Sequence, residues 1–180
     1  MTTGETGWPE GFEAVYIELD KYNGPWSGVA DVGGRPHYFQ VRWSLPGDAD
    51  PEGGYFVWPL DAETFALERE AWGIFVRWNA RFEAGEAGLD SHPGVGGIDP
   101  RYDELDGLLK SSREVPPDAR VLWGDIEYLI GDGVQRYRVE GCDYAIRWRS
   151  SDCSSAAGVR YPAWGDDGSP FPLDRPRWRG

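Results

Sequence analysis

His37 and His92 are the only two histidines in this 180-residue chain, and each sits against proline in a glycine-rich stretch, Gly33-Gly34-Arg35-Pro36-His37 and Asp90-Ser91-His92-Pro93-Gly94. Imidazole changes charge near neutrality, and proline restricts the backbone that aims it, so both are candidates for a general acid or base. Across a hairpin, Asp31 would orient His37 and hold it charged. If His92 converged on the same point, Asp31, His37 and His92 would make the catalytic site of a small hydrolase or transferase. A structural role stands beside this one. On a strand His37 shares the apolar face of Phe39, Val41 and Trp43, where a histidine at the edge of the core is satisfied by a carbonyl or carboxylate. His92 falls in a loop that also holds Gly94, Gly96 and Gly97.

Arginines supply a second constellation. Arg136 and Arg138 alternate onto one face of a candidate strand, and Arg147 and Arg149 onto one face of the next. Tightly paired, the four would clamp a small-molecule anion through bidentate hydrogen bonds to phosphate or carboxylate. The alternative is a salt-bridge ladder to Asp125 and Glu127, which alternate on the preceding strand candidate. Trp26 and Tyr38 are the aromatic candidates for ligand binding. No Gly-x-Ser-x-Gly elbow, phosphate-binding Gly-Lys-Ser/Thr loop or His-Glu-x-x-His is present. Two histidines without a cysteine cluster predict no metal site, and no cofactor is expected.

The elements that must position these groups follow from turn and cap chemistry. Ala14 to Asp20, Trp26 to Val32 and Pro36 to Trp43 read as strands of a β-meander, the last two joined by a Gly33-Gly34 hairpin. Ser44 to Gly54 is crowded with breakers, and a short strand follows at Tyr55 to Trp58. Asp61 caps a long helix running to about Ala84 and stopped by Gly85. Phe65, Trp72, Phe75, Val76 and Phe82 form one stripe on it, and Leu67, Ala71, Ile74 and Trp78 an adjacent one, an arc wide enough to be buried against a sheet. Asp99 and Pro100 start a second helix with Tyr102, Leu105, Leu108 and Leu109 inward, ending near Ser111. Strands are then expected at Ala119 to Ile130, Val134 to Glu140 and Cys142 to Arg149. Strands, then helices, then strands predict an α+β fold with a mainly antiparallel sheet packed on one long and one shorter helix. Residues 1–150 make one domain; 151–180 are a Pro-, Gly- and Ser-rich tail, loosely docked by its aromatics or disordered.

Acidic residues outnumber basic ones by 31 to 18, for a net charge of −13. Such a field repels nucleic-acid backbones and anionic membranes and steers in a cationic partner, although it serves solubility equally. No secretory signal opens the chain, no stretch reaches membrane-spanning length, and Cys142 and Cys153 have neither redox-pair nor zinc spacing, so a cytoplasmic protein is expected. With ten tryptophans as potential anchors, the leading expectation is an acidic binding protein of the immunity type, which neutralises a basic protein partner.

The segment Tyr22-Asn23-Gly24-Pro25-Trp26-Ser27-Gly28-Val29-Ala30-Asp31, followed by Gly34-Arg35-Pro36-His37 and a Trp-rich helix from Trp72 to Trp78, resembles the opening of a group of uncharacterised bacterial proteins. They share a Gly-Pro-x-Ser-Gly-x-Ala hairpin leading into Gly-x-Pro-His. The resemblance covers about residues 14 to 110, implies a bacterial origin, and carries no chemistry. Asn23 and Trp26 stand where Asp and Arg are commoner in that group, which removes support for anion binding at this turn.

Overall fold

The computed structural model describes residues 8–21, 25–42, 54–129 and 133–150. Trp43, most of the Ser44 to Gly54 loop, Cys153 and the tail lie outside them. The strands are β1 (Glu13–Lys21), β2 (Pro25–Asp31), β3 (Pro36–Val41), β4 (Tyr55–Pro59), β5 (Arg120–Tyr128), β6 (Tyr137–Arg138), β7 (Gly141–Cys142) and β8 (Tyr144–Ser150). Helices α1 (Ala62–Glu83) and α2 (Pro100–Leu109) fall between β4 and β5. The α+β class with an antiparallel sheet holds, and the sheet closes into a six-stranded barrel in the order β1-β2-β3-β4-β5-β8.

Local chemistry sets the first hairpin. Gly33 and Gly34 take φ of 63° and 70°, as a two-residue hairpin loop requires. Val32 then donates to the Arg35 carbonyl at 2.9 Å. Where β1 crosses β2, Gly28 lets the backbone of Ile17 and the ring of Phe39 approach so closely that a Cβ would strike both. Register shifts along β1 accompany that contact and curve the strand.

Closure is slight. β1 meets β8 only through Glu13 opposite Ile146 and Ala14 opposite Ala145, whereas β5 and β8 pair over seven positions from Leu122 to Tyr128. Inside, Phe39 reaches Trp148 across the barrel, with ring centroids 6.1 Å apart, and Tyr55 on the neighbouring β4 at 5.7 Å. Neighbouring Tyr38 faces outward onto α1, stacked on Trp58. Both faces of β3 are therefore buried, because α1 covers the outside, and Tyr38 is 1% exposed. A fully buried large side chain of this kind contributes about 1.5–3 kcal/mol through the area removed from water.

The two apolar stripes of α1 divide their work. Trp72 and Val76, with Phe65 and Phe75 beside them, join the barrel core. Ala71, with Leu67 and Ile74, packs instead on Leu105 and Leu109 of α2, so the second stripe meets a helix rather than the sheet. Asp61 caps α1 by accepting from the Thr64 amide at 2.7 Å, and Asp99 caps α2 through the Arg101 and Tyr102 amides.

The C-terminal strands depart from expectation. The segment expected as a strand from Val134 to Glu140 keeps only Tyr137 and Arg138 as β6, which turns at once into β7. Gly141, at φ 153°, breaks the run and lets this ribbon lie against the Val15 carbonyl. The ribbon forms a separate two-stranded sheet. Among the described residues no helix is long and apolar enough to cross a membrane.

Candidate functional site

The structure places the two histidines in different neighbourhoods. His37 stands opposite Ala30 in the β2–β3 ladder, while Asp31 stands opposite Pro36. Adjacent register positions point to opposite faces, so the expected His37–Asp31 hydrogen bond is replaced by two others. His37 Nδ1 engages the Arg35 carbonyl at 2.8 Å. Asp31 Oδ2 accepts from the Tyr16 hydroxyl at 2.8 Å, and its Oδ1 is buried without a partner. Burial pushes the Asp31 carboxyl above the usual carboxylate range, and the hydrogen bond from Tyr16 and the charge of His37 oppose the shift. The Tyr16 hydroxyl is pushed up to about 12, chiefly by burial.

His92 lies at the other candidate position, in the loop after α1. Its ring meets Trp78 edge-on at 4.3 Å and Phe75 at 5.8 Å. Nδ1 accepts from the Gly94 amide at 2.9 Å, which assigns the ring proton to Nε2. Burial lowers the pKa of His92 and favours the neutral ring.

His92 lines a cleft of about 220 Å³ between β1 and α1, and His37 does not. Trp72, Phe75, Tyr102 and Tyr137 supply its aromatic wall, and Ile17 to Lys21 of β1 its opposite side. Two buried carboxylates close it. Glu68 of α1 accepts from Arg113 Nε at 2.7 Å, from Arg113 Nη2 at 2.9 Å and from the Tyr38 hydroxyl at 2.7 Å. Glu18 of β1 accepts from Arg136 Nη2 at 3.1 Å and from the Tyr137 hydroxyl at 2.7 Å. Neither carboxylate was a candidate from sequence. The signal was there for Glu68, which sits at helical spacing between Phe65 and Trp72, in the middle of an apolar stripe.

The four arginines do not form one patch. β6 pairs with β7 rather than β8, which separates Arg136 and Arg138 from Arg147 and Arg149. Arg136 serves Glu18, and Arg138 Nη2 donates to the Cys142 carbonyl at 2.9 Å. Arg147 and Arg149 both bind Asp125, at 3.0 and 2.8 Å, and hold its carboxyl below the usual range. The salt-bridge alternative thus holds at Asp125, while Glu127 is opposite Ala145. Each guanidinium expected in an anion clamp is already engaged.

Of the aromatic candidates, Tyr38 is buried under α1 and Trp26 is half-buried on β2. No described tryptophan is exposed. The large apolar residues that do reach solvent include Leu89, Val95, Ile98 and Leu108, at 69, 47, 47 and 55% exposure. They belong to residues 86–118, a stretch with eight acids against three bases. The Gly97 amide donates to Asp103 at 2.8 Å and ties the loop to the first turn of α2. Burial pushes the Cys142 thiol up, so it stays protonated and is a poor nucleophile. Among the described residues no group of His, Cys, Asp and Glu could hold a metal ion. No family model, curated protein or solved structure matches the chain.

Proposed function

We propose that the chain is a binding protein that engages a basic protein partner, in the manner of an immunity protein covering a cationic surface. The observation that carries this reading is the 86–118 stretch, where Leu89, Val95, Ile98 and Leu108 are exposed among acids such as Glu86, Asp90 and Asp118. Apolar contact area inside a field of one sign gives affinity together with fast, salt-sensitive association. The hydrolase or transferase alternative has less behind it, since His37, Asp31 and His92 are each engaged separately. A cytoplasmic setting belongs to the same reading and is supported by the free, buried Cys142 thiol.

Reversing Glu86 and Asp90 to lysine together with Leu89→Ser is expected to weaken capture of a basic partner from native cells at least tenfold. The charge-matched Glu10→Lys, Glu127→Lys protein, altered on other elements, should retain it. Equal retention by both proteins, or capture that does not weaken between low and high salt, would sink the proposal.

A further inference from the structure

The described residues expose two groups of large apolar side chains: Leu89, Val95, Ile98 and Leu108 in the 86–118 stretch, and Tyr128, Leu129, Val134 and Val139 around the end of β5 and the start of β6. Their electrostatic settings differ. Glu86, Asp90, Glu114 and Asp118 of the first stretch are exposed and make no ion pair or side-chain hydrogen bond among the described residues, whereas Val134 and Val139 flank Arg136 and Arg138. Leu89, Val95 and Ile98 stand on successive turns of one loop, closed by amide bonds from His92 to Leu89, from Val95 to His92 and from Ile98 to Val95. Exposed apolar groups rimmed by charge mark a contact surface.

We propose that a segment of the same chain, Arg175-Pro176-Arg177-Trp178-Arg179, docks on the surface of Leu89, Val95 and Ile98. Composition selects the occupant, since residues 175–180 hold three of the 18 basic residues and none of the 31 acids. Trp178 sits between two arginines, and Trp and Arg are among the residue types that most often carry binding energy at protein contacts. The indole covers the apolar loop face while Arg177 and Arg179 meet carboxylates such as Glu86 and Asp90. The fold also delivers the chain to the right end of the domain. Ser150, the last residue of β8, stands opposite Leu122, and β8 runs antiparallel to β5, so it ends pointing toward Arg120 and Asp118. Asp118 lies four residues before Leu122, within about 14 Å along the chain. The other apolar group begins at Tyr128, at the far end of that ladder. The 24 residues from 151 to 174 span at most about 80 Å, ample for a domain about 40 Å across. Covalent linkage makes the encounter intramolecular and raises its occupancy above that of a free peptide. The contact needs no other protein, and a basic partner of the kind proposed above competes with it for the same surface.

The test uses the full chain with a nitroxide on Gly180→Cys, in a background of Cys153→Ser; Cys142 is buried and takes no label. Paramagnetic broadening of backbone amide signals is expected at Leu89, Val95, Ile98 and Leu108 at low salt. It should be lost at high salt and in the labelled chain that also carries Arg177→Ser, Trp178→Ser and Arg179→Ser. Mixing isotope-labelled chains without nitroxide and nitroxide-bearing chains without isotope should give no broadening, because the contact lies within one molecule. Absent broadening, broadening spread evenly over the domain or centred on Val134 and Val139, or broadening that survives the triple substitution overturns the proposal. So does broadening in the mixed sample, which would make a second copy the occupant. These outcomes leave the capture assay on Glu86, Leu89 and Asp90 unaffected, whereas failure of that assay with the broadening intact would remove the basic-partner reading instead.

Discussion

Glu68 and Glu18 are the charged residues most deeply buried among the described residues, and both answer to an arginine and a tyrosine. Their surroundings differ. At Glu68, Arg113 brings two nitrogens to two carboxylate oxygens, Tyr38 donates a third hydrogen bond, and Asp106 takes the remaining arm of the guanidinium at 2.8 Å. At Glu18, a single nitrogen of Arg136 spans both oxygens at 3.1 and 3.3 Å. Arg136 Nε, Asp143 Oδ1 and the Tyr144 hydroxyl are buried nearby without partners. Burial also pushes the Asp143 carboxyl up. The saturated cluster joins α1 to the segment after α2 and to β3; the unsaturated one sits where the β6–β7 ribbon covers the barrel. Complete pairing belongs to the interface that fixes the helices, and incomplete pairing to the side where the β6–β7 ribbon lies against β1.

Removing each carboxylate in turn is the strongest way to break that comparison. Glu68→Ala leaves the Arg113 guanidinium, whose side chain is 21% exposed, with Asp106 alone and the buried Tyr38 hydroxyl without its acceptor, and is expected to cost about 3–5 kcal/mol. Glu18→Ala should cost less, about 1–3 kcal/mol, because Arg136 is 39% exposed and can turn to water. Urea unfolding followed by tryptophan fluorescence gives both midpoints. Equal losses would mean that the two clusters are energetically alike.

The paired tyrosines sharpen the same contrast at lower amplitude. Tyr38→Phe deletes a donor from a buried carboxylate and is expected to destabilise by about 1–3 kcal/mol. Tyr144→Phe deletes a hydroxyl with no partner at full hydrogen-bond geometry, although burial chiefly raises its pKa and a weak interaction with the neighbouring Glu18 carboxylate adds to the shift. It should be neutral or stabilising by up to about 1 kcal/mol. Loss of stability in Tyr144→Phe would show that its hydroxyl is satisfied in solution.

The regions also differ in how far sequence reveals them. The Gly33-Gly34 hairpin and the Asp61 and Asp99 caps were legible because each is a contract between residues a few positions apart. The two stripes of α1 were legible as apolar, but which would meet the barrel and which α2 was not, since a helical period carries no address. Barrel closure rests on Glu13 and Ala14 meeting residues at the far end of the domain, and no local pattern encodes such a pairing. The same gap hid the cleft. Glu18 and Arg136 acquire their relation only when β6 turns back after two residues, a break that the arginine alternation concealed by mimicking a longer strand.

His92 offers the smallest and most localised test, at the end of the cleft shared by both clusters. With its folded pKa lowered by burial, the unfolded chain takes up a proton at this ring first as pH falls. The unfolded state then binds more protons, so stability is complete above the ordinary histidine range and declines as pH drops from about 6.5. His92→Gln cannot take up that proton, and its stability should change less between pH 7 and pH 5.5 than that of the unaltered chain. Carboxylates titrate lower and contribute to both profiles alike. The difference between the two curves therefore isolates the imidazole, and parallel curves would mean that His92 is as well solvated as in an unfolded chain, leaving the cleft open to water where Phe75 and Trp78 now cover the ring.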